Sequence, residues 1–277
     1  MTPARDSYTF NPQSLSFTNL SGSQIGNFIG SPIGQPPVRR AAFDFDGDGK
    51  TDLAVWQPHD DNWQIINSTD SSHRVQLFGG QGNGDFLVPA DYDGDGKVDI
   101  AFWRSVDGNW HILQSTSGTE IIHNWGASTD RPVPADYDGD GRADIAVWRP
   151  SEGNWYIINS STDTVTVRGW GVGSLGDIPV PGDYDGDGKT DIGVWRPLEG
   201  NWYVINSADN SIAIRNWGNS TDILVAGDYD GDSKTDLAVY RPSEGNRYII
   251  SSDTDTVSTQ YLGSGNSVPI PSAYLPQ

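Results

Sequence analysis

The 277-residue sequence contains no cysteine. That leaves no disulfide framework, no thiol nucleophile and no thiolate metal ligand. Positive charge is scarce as well: 17 Lys and Arg stand against 37 Asp and Glu, for a net charge of −20. No basic patch exists to displace counter-ions from phosphate, which argues against a nucleic-acid partner. The same shortage argues against anionic membranes. No apolar run approaches the roughly 20 residues that cross a bilayer, so membrane insertion is not expected. Helical spacing of apolar residues is missing throughout. Residues 1–8 lack the apolar core of an export signal.

What the chain does have is aspartate, and most of it lies in one repeated stretch. Asp136-Tyr137-Asp138-Gly139-Asp140-Gly141-Arg142-Ala143-Asp144 sets carboxylates at positions 1, 3, 5 and 9 with glycines between them. The stretch begins again at Asp44, Asp91, Asp183 and Asp228, every 45 or 47 residues. Acidic residues at that spacing in a glycine-bent loop can converge on one hard cation. Oxygen-only ligands in a flexible loop suit calcium better than magnesium. The expected ligands are Asp44, Asp46, Asp48 and Asp52; Asp91, Asp93, Asp95 and Asp99; Asp136, Asp138, Asp140 and Asp144; Asp183, Asp185, Asp187 and Asp191; and Asp228, Asp230, Asp232 and Asp236. Position 7 (Lys50, Lys97, Arg142, Lys189 and Lys234) would add its backbone carbonyl. The expected cofactor is Ca²⁺, about five per chain. The loop starts like an EF-hand, but position 12 holds Val or Phe instead of the bidentate Glu, and a strand pattern follows instead of a helix. Ser233 replaces the glycine of position 6 in the fifth loop; that position often takes a positive φ, so the fifth site is expected to be weaker.

A fixed period of this length marks a repeat architecture. Each repeat divides into four short β-segments; in the fourth they are 178–183, 191–196, 202–206 and 211–217. Four strands per 45 residues predict an all-β fold, a β-propeller. Blades are expected at about 35–80, 84–126, 130–171, 176–218 and 222–263 of a single domain, 1–277. The chain ends match the missing parts of another blade. Residues 8–12, 14–19 and 24–30 align with strands two, three and four, and 268–274 with strand one. A six-bladed propeller is therefore expected, its closing blade made of 7–30 plus 267–277 and without a calcium loop, since Ala273 stands at the Asp183 position.

The Asp-Tyr-Asp-Gly-Asp-Gly-Lys-x-Asp-Ile-Ala-Val-Trp-Arg-Pro pattern resembles the FG-GAP repeats of the integrin α-subunit propeller and the bacterial VCBS-type repeats. The likeness runs from about residue 36 to 263. It implies calcium in the hairpin between the first two strands of each blade, and extracellular adhesion or recognition. Blade number and ligand do not carry over.

Other residues recur in register. Trp56, Trp103, Trp148 and Trp195 lie on strand two, Trp63, Trp110, Trp155 and Trp202 on strand three, and Trp125, Trp170 and Trp217 at the end of strand four. Packing between blades and stacking against sugar rings both fit them; the last three, each before a glycine, are the better candidates for ligand binding. Arg104, Arg149, Arg196 and Arg241 follow the strand-two aromatic, with Gln57 in the first repeat, and are expected to pair with a carboxylate. Glu152, Glu199 and Glu244, with Asp107 in the second copy, read as solvated turn residues. Catalysis needs one constellation in one place, and the unrepeated candidates are only His59, His73, His111, His123 and Glu120. The chain therefore reads as a secreted or cell-surface, non-catalytic recognition module for a glycan or an extracellular protein. The alternatives are a structural subunit that forms homo-oligomers or polymers by strand donation, and a polysaccharide-cleaving enzyme.

Overall fold

Short β-segments joined by Gly- and Asp-rich turns account for nearly all the regular structure. The computed structural model describes residues 43–57, 60–79, 85–261 and 263, together with 8–11 and 29–32 as backbone. The chain divides into two units, Met1–Arg39 and Arg40–Gln277. In the first, β1 (Tyr8–Asn11) pairs antiparallel with β2 (Ile29–Pro32), Tyr8 opposite Pro32.

The second unit is a β-propeller of consecutive antiparallel blades. Blade 1 contains β3 (Leu53–Gln57), β4 (Asn62–Ile66) and β5 (His73–Leu77), and blade 2 contains β6 (Asp85–Leu87), β7 (Ile100–Arg104), β8 (Asn109–Leu113) and β9 (Glu120–Asn124). Blade 3 is β10 (Arg131–Pro132), β11 (Ile145–Arg149), β12 (Asn154–Ile158) and β13 (Val165–Gly169). Blade 4 is β14 (Ile178–Pro179), β15 (Ile192–Arg196), β16 (Asn201–Ile205) and β17 (Ile212–Asn216), and blade 5 is β18 (Ile223–Leu224), β19 (Leu237–Arg241), β20 (Asn246–Ile250) and β21 (Val257–Tyr261). Strand one is shorter than expected. In blade 4 it covers two residues, and a single bridge, Gly182 to Asp191, resumes the pairing across the acidic loop.

Five blades, not six, are present among the described residues. The closing blade required 8–12 to pair with 14–19; instead β1 pairs directly with β2. Residues 12–28 and 264–277, which hold the rest of that expected blade, lie outside the described residues. The N-terminal stretch has the apolar alternation of strands but none of the side chains that lock the other blades, neither the acidic loop nor the Trp and Arg rows. Alternation alone does not set strand register.

Those locks are visible in blades 2 to 4. Trp103 and Trp110 are fully buried, and both indole N–H groups donate to the Trp125 carbonyl at 3.0 Å. The Trp125 indole then donates to the Tyr156 carbonyl of blade 3. Trp148, Trp155 and Trp170 repeat this, with Trp170 reaching Tyr203 of blade 4. Trp195 and Trp202 converge likewise on the Trp217 carbonyl. In these blades the indoles fill the wedge and satisfy their polar edges, except at Trp217, whose buried N–H has no partner.

Each Arg of strand two forks onto an aspartate 19 residues earlier: Arg104 on Asp85, Arg149 on Asp130, Arg196 on Asp177 and Arg241 on Asp222. Asp130, Asp177 and Asp222 are buried and also accept the backbone N–H of Ala127, Val172 and Asn219, which closes the inter-blade connection. In blade 1, Gln57 replaces the Arg, and the sequence carries Val38 instead of Asp 19 residues earlier. Removing one member of a desolvated pair strands the other's charge. Asp177→Ala is expected to lower stability by about 3 kcal/mol in urea unfolding, whereas Glu199→Ala, on the exposed side of the same Arg196, lowers it by less than about 1 kcal/mol.

Candidate metal centre

Each acidic loop is built around its first aspartate. The Asp136 oxygens accept the N–H groups of Gly139 and Gly141 at 2.6 and 2.8 Å, and Asp91, Asp183 and Asp44 do the same in their loops. Position 3 accepts from the N–H of position 5, and position 5 from that of position 7. These local turns are what aspartate offers the backbone in place of a strand ladder. Glycine at position 6 has φ of 82–88° in loops one to four, and Ser233 takes φ 75° in the fifth.

The ninth position closes the site. Asp52, Asp99, Asp144, Asp191 and Asp236 are at most 3 % exposed. One Asp144 oxygen accepts from the Tyr137 N–H at the start of the loop, and the other from the Ser160 N–H in the turn between strands three and four. Asp99 makes the same bridge between Tyr92 and Ser115, and Asp191 between Tyr184 and Ser207. The hydroxyl of that turn returns to position 5, as Ser160 to Asp140 and Ser207 to Asp187. This role was not anticipated, although Ser recurs 20 residues after position 5 in all five repeats.

Carboxylate oxygens of Asp91, Asp93 and Asp99 come within 4.8 Å of one another, as do those of Asp136, Asp138 and Asp144, of Asp183, Asp185 and Asp191, and of Asp228, Asp230 and Asp236. In the first loop the group is Asp44, Asp46 and Asp48. Oxygens so spaced match a single calcium ion with 2.3–2.6 Å bonds, and the all-oxygen donor set has its chemistry. The position-5 residues Asp95, Asp140, Asp187 and Asp232 fall outside these groups of three and serve the turn hydroxyls instead. Position 7 does more than supply a carbonyl: the stems of Lys97, Arg142, Lys189 and Lys234 lie over the position-4 glycine of the preceding loop, where a Cβ would sit 2.7–3.1 Å from them. Neighbouring loops are joined by backbone bonds too, from Val98 to Asp44, Ala143 to Asp91, Thr190 to Asp136 and Thr235 to Asp183.

Convergence has an electrostatic consequence. Burial pushes Asp99 up to about 6, and the neighbouring Asp93 charge adds to this against hydrogen bonds from the Ser115 and Tyr92 backbone. Burial also raises Asp136, Asp144, Asp183 and Asp191.

The other sequence candidates have defined places. Trp125, Trp170 and Trp217 are half-buried against the blade cores, with the N–H groups of Trp125 and Trp170 bonded to the next blade. Glu152, Glu199 and Glu244 are more than solvated turn residues: each accepts from the hydroxyl of Tyr156, Tyr203 or Tyr248, and each pairs with the strand-two Arg. His73 and His123 are exposed, and His59 lies outside the described residues. His111 and Glu120 are brought together, Nδ1 to Oε1 at 2.8 Å.

The model of the FG-GAP-like repeat matches residues 44–102, 91–147 and 136–194, and that of the FG-GAP repeat matches 221–258. No curated protein matches the chain. Among solved structures, a lectin from Agrocybe aegerita that specifically recognises non-reducing terminal N-acetylglucosamine is 17 % identical, with a TM-score of 0.53 over 78 % of this chain and 64 % of the lectin. The virginiamycin B lyase of Staphylococcus aureus is 10 % identical, with a TM-score of 0.50 over 88 % of this chain and 75 % of the lyase. At such identities the likeness is one of fold.

Two outcomes follow from the loop geometry. A carboxyl whose folded pKa exceeds its unfolded value near 3.9 penalises the folded state when charged, and Asp99 feels that penalty fully above pH 6. The penalty fades as pH falls toward 4. Asp48 is lowered to about 2, its desolvation outweighed by hydrogen bonds from Lys50, Ser68 and Thr69; its contribution is lost only below about pH 4. In chelator the melting temperature should therefore rise from pH 7 to pH 5, and in calcium it should fall over the same interval as protons displace the ion. Ser233→Gly relieves a left-handed backbone and should raise stability by about 0.5–1 kcal/mol, a shift of a few degrees in calorimetry.

Proposed function

The chain belongs to the FG-GAP-like repeat family, and on that footing we propose that it is a calcium-braced recognition propeller working outside the cell. The observation that carries this reading is the convergence of three carboxylates in every one of the five loops, each loop bonded to the next. Calcium would be held by the aspartates of positions 1, 3 and 9, with position 5 and the position-7 carbonyl within the same loop. It would supply positive charge where burial makes carboxylates costly, and so fix the loops that join strands one and two. The extracellular setting follows from the ion. Sites with dissociation constants near 10⁻⁴–10⁻³ M fill only where calcium is millimolar, and each then stabilises by about 0.4–1.4 kcal/mol.

Binding is the better reading of the remaining surface than catalysis. The Arg and Trp rows, which offered repeated cationic and aromatic chemistry, serve the joints between blades. Strands β9, β13, β17 and β21 present mostly exposed side chains on the outer edges, a rigid scaffold of the kind that displays a partner-binding surface. The partner is a glycan or an extracellular protein. The likeness to a lectin supports binding at the level of fold.

Native mass spectrometry paired with thermal melts tests the reading. Five ions per chain and a fall of about 5–20 °C in chelator are expected, since the loops would contribute roughly 2–7 kcal/mol together. Asp144→Asn should remove one ion and a fifth or so of that effect. A chain that holds no calcium and melts identically in chelator would overturn it.

A further inference from the structure

Copies of one repeat should meet at equivalent joints, and those from blade 2 to blade 3 and from blade 3 to blade 4 do. The joint between blades 1 and 2 differs. Asp61 occupies the turn position that is Gly108, Gly153, Gly200 and Gly245 elsewhere, and it adopts the same left-handed backbone, φ 55° against 67–72°. Glycine adopts that conformation freely; aspartate reaches it too, as at Asp163 and Asp255, at a modest cost. Phe78 replaces Trp125, Trp170 and Trp217, and Phe102 replaces Val147, Val194 and Val239. His111 replaces Tyr156, Tyr203 and Tyr248, and Glu120 stands where β-branched apolar residues open β13, β17 and β21.

These substitutions all face one open cleft of about 380 Å³. Phe78 packs against Phe102 with ring centres 5.2 Å apart, and Phe102 stacks on His111 at 4.5 Å, nearly parallel. His111 Nδ1 is bonded to Glu120, while its Nε2 is buried in the wall without a partner. Asp61 Oδ1 is likewise buried without a partner. Among the described residues six buried side-chain polar atoms lack a partner, and two of them, these two, line one cleft, where a ligand would satisfy both.

The charge identifies the class of ligand. Asp60, Asp61 and Glu120 line the cleft, and its one Arg, Arg104, is already forked onto Asp85 at 2.9 and 3.0 Å. Among the described residues the Asp60 carboxylate is bonded to the neutral Asn62 amide. Among the described residues these three carboxylates do not form a group within 4.8 Å, unlike those of the loops, so they are spread too widely for a bare ion. Leu77, exposed at the rim, and Phe78 supply apolar walls. Spread carboxylates above an apolar floor fit a cationic head on an apolar stem. A chain of net charge −20 also draws such groups toward itself.

We propose that the cleft between blades 1 and 2 binds a protruding lysine or arginine side chain of a protein partner. The stem lies along Leu77 and Phe78, and the head is taken by Asp61 and Glu120. This deepens the recognition reading and rests on it, by naming one site and the chemistry of its partner.

Titration by NMR in excess calcium tests it, with N-acetyl-lysinamide and N-acetyl-argininamide as probes, N-acetyl-norleucinamide as the neutral counterpart and glucosamine as the sugar amine. Saturable shifts at Gly79, Leu113 and their neighbours are expected for the two cationic amides and not for norleucinamide. Asp61→Gly restores the residue of the other four turns, so it should fold; it and Glu120→Gln should each weaken the cationic amides by about tenfold. Equal binding of norleucinamide, tighter binding of glucosamine, unchanged affinity in both variants, or no shifts at all would overturn the proposal. A calcium-dependent melt recorded on the same samples separates that failure from failure of the calcium-braced reading.

Discussion

Like charges held together against their mutual repulsion are the constraint on which this structure depends. Three carboxylates within 4.8 Å, one of them buried, are unfavourable in any loop that is free to relax. Relaxation is prevented from two directions. The carboxylates accept the loop's own N–H groups, so spreading them apart breaks the turn. The ninth residue is tied to the turn between strands three and four, which spreads the constraint over the whole blade. A cation relieves the repulsion without altering any of these bonds. It therefore acts as a brace for a geometry the hydrogen bonds already define.

Neighbouring blades share the brace. The carbonyl of each first aspartate accepts from the next loop, and the position-7 stem of that next loop lies on the glycine before it. The Trp and Arg rows provide two further connections at other heights in the blade. One is a set of indoles converging on a single carbonyl and then crossing to the next sheet; the other is an Arg–Asp fork closing the connecting segment. Each is a directional polar contact inside an apolar wedge, so it sets blade-to-blade spacing more sharply than hydrophobic burial alone. A repeat fold whose units touch only their neighbours needs that sharpness, because errors in spacing accumulate along the array.

The parts of this fold that repeat were legible in the sequence, and the parts that depend on pairing partners were less so. The loops, the strand order and the blade period follow from residues at fixed intervals, because a repeat displays its constraints several times over. The partners of Arg149 and Arg196 were missed as individuals, though Asp130 and Asp177 stand 19 residues before them. Such a pair is invisible to strand periodicity, since the aspartate lies in a connection with no periodicity of its own. The sixth blade failed for a related reason. Residues 8–12 and 24–30 look like strands, but nothing in them specifies which strand they adopt, and β1 chooses β2. The position-5 aspartates illustrate a third limit. Spacing shows that they can reach an ion, but the competing hydroxyl of Ser160 or Ser207 becomes visible only when strand three is folded back.

Symmetry decides where function is to be sought in such a chain. A side chain copied in every blade and satisfied by the blade itself, as Arg196 is by Asp177, has little left to offer a partner. The informative positions are those where one copy departs from the rest and the departure leaves chemistry unsatisfied. Asp61, Phe78, Phe102, His111 and Glu120 depart together and leave two unpartnered buried polar atoms and an acidic cleft. A compensated departure is what drift within a scaffold produces. An uncompensated one, concentrated around a single cleft, is what a binding site requires, because its missing partner is supplied by another molecule.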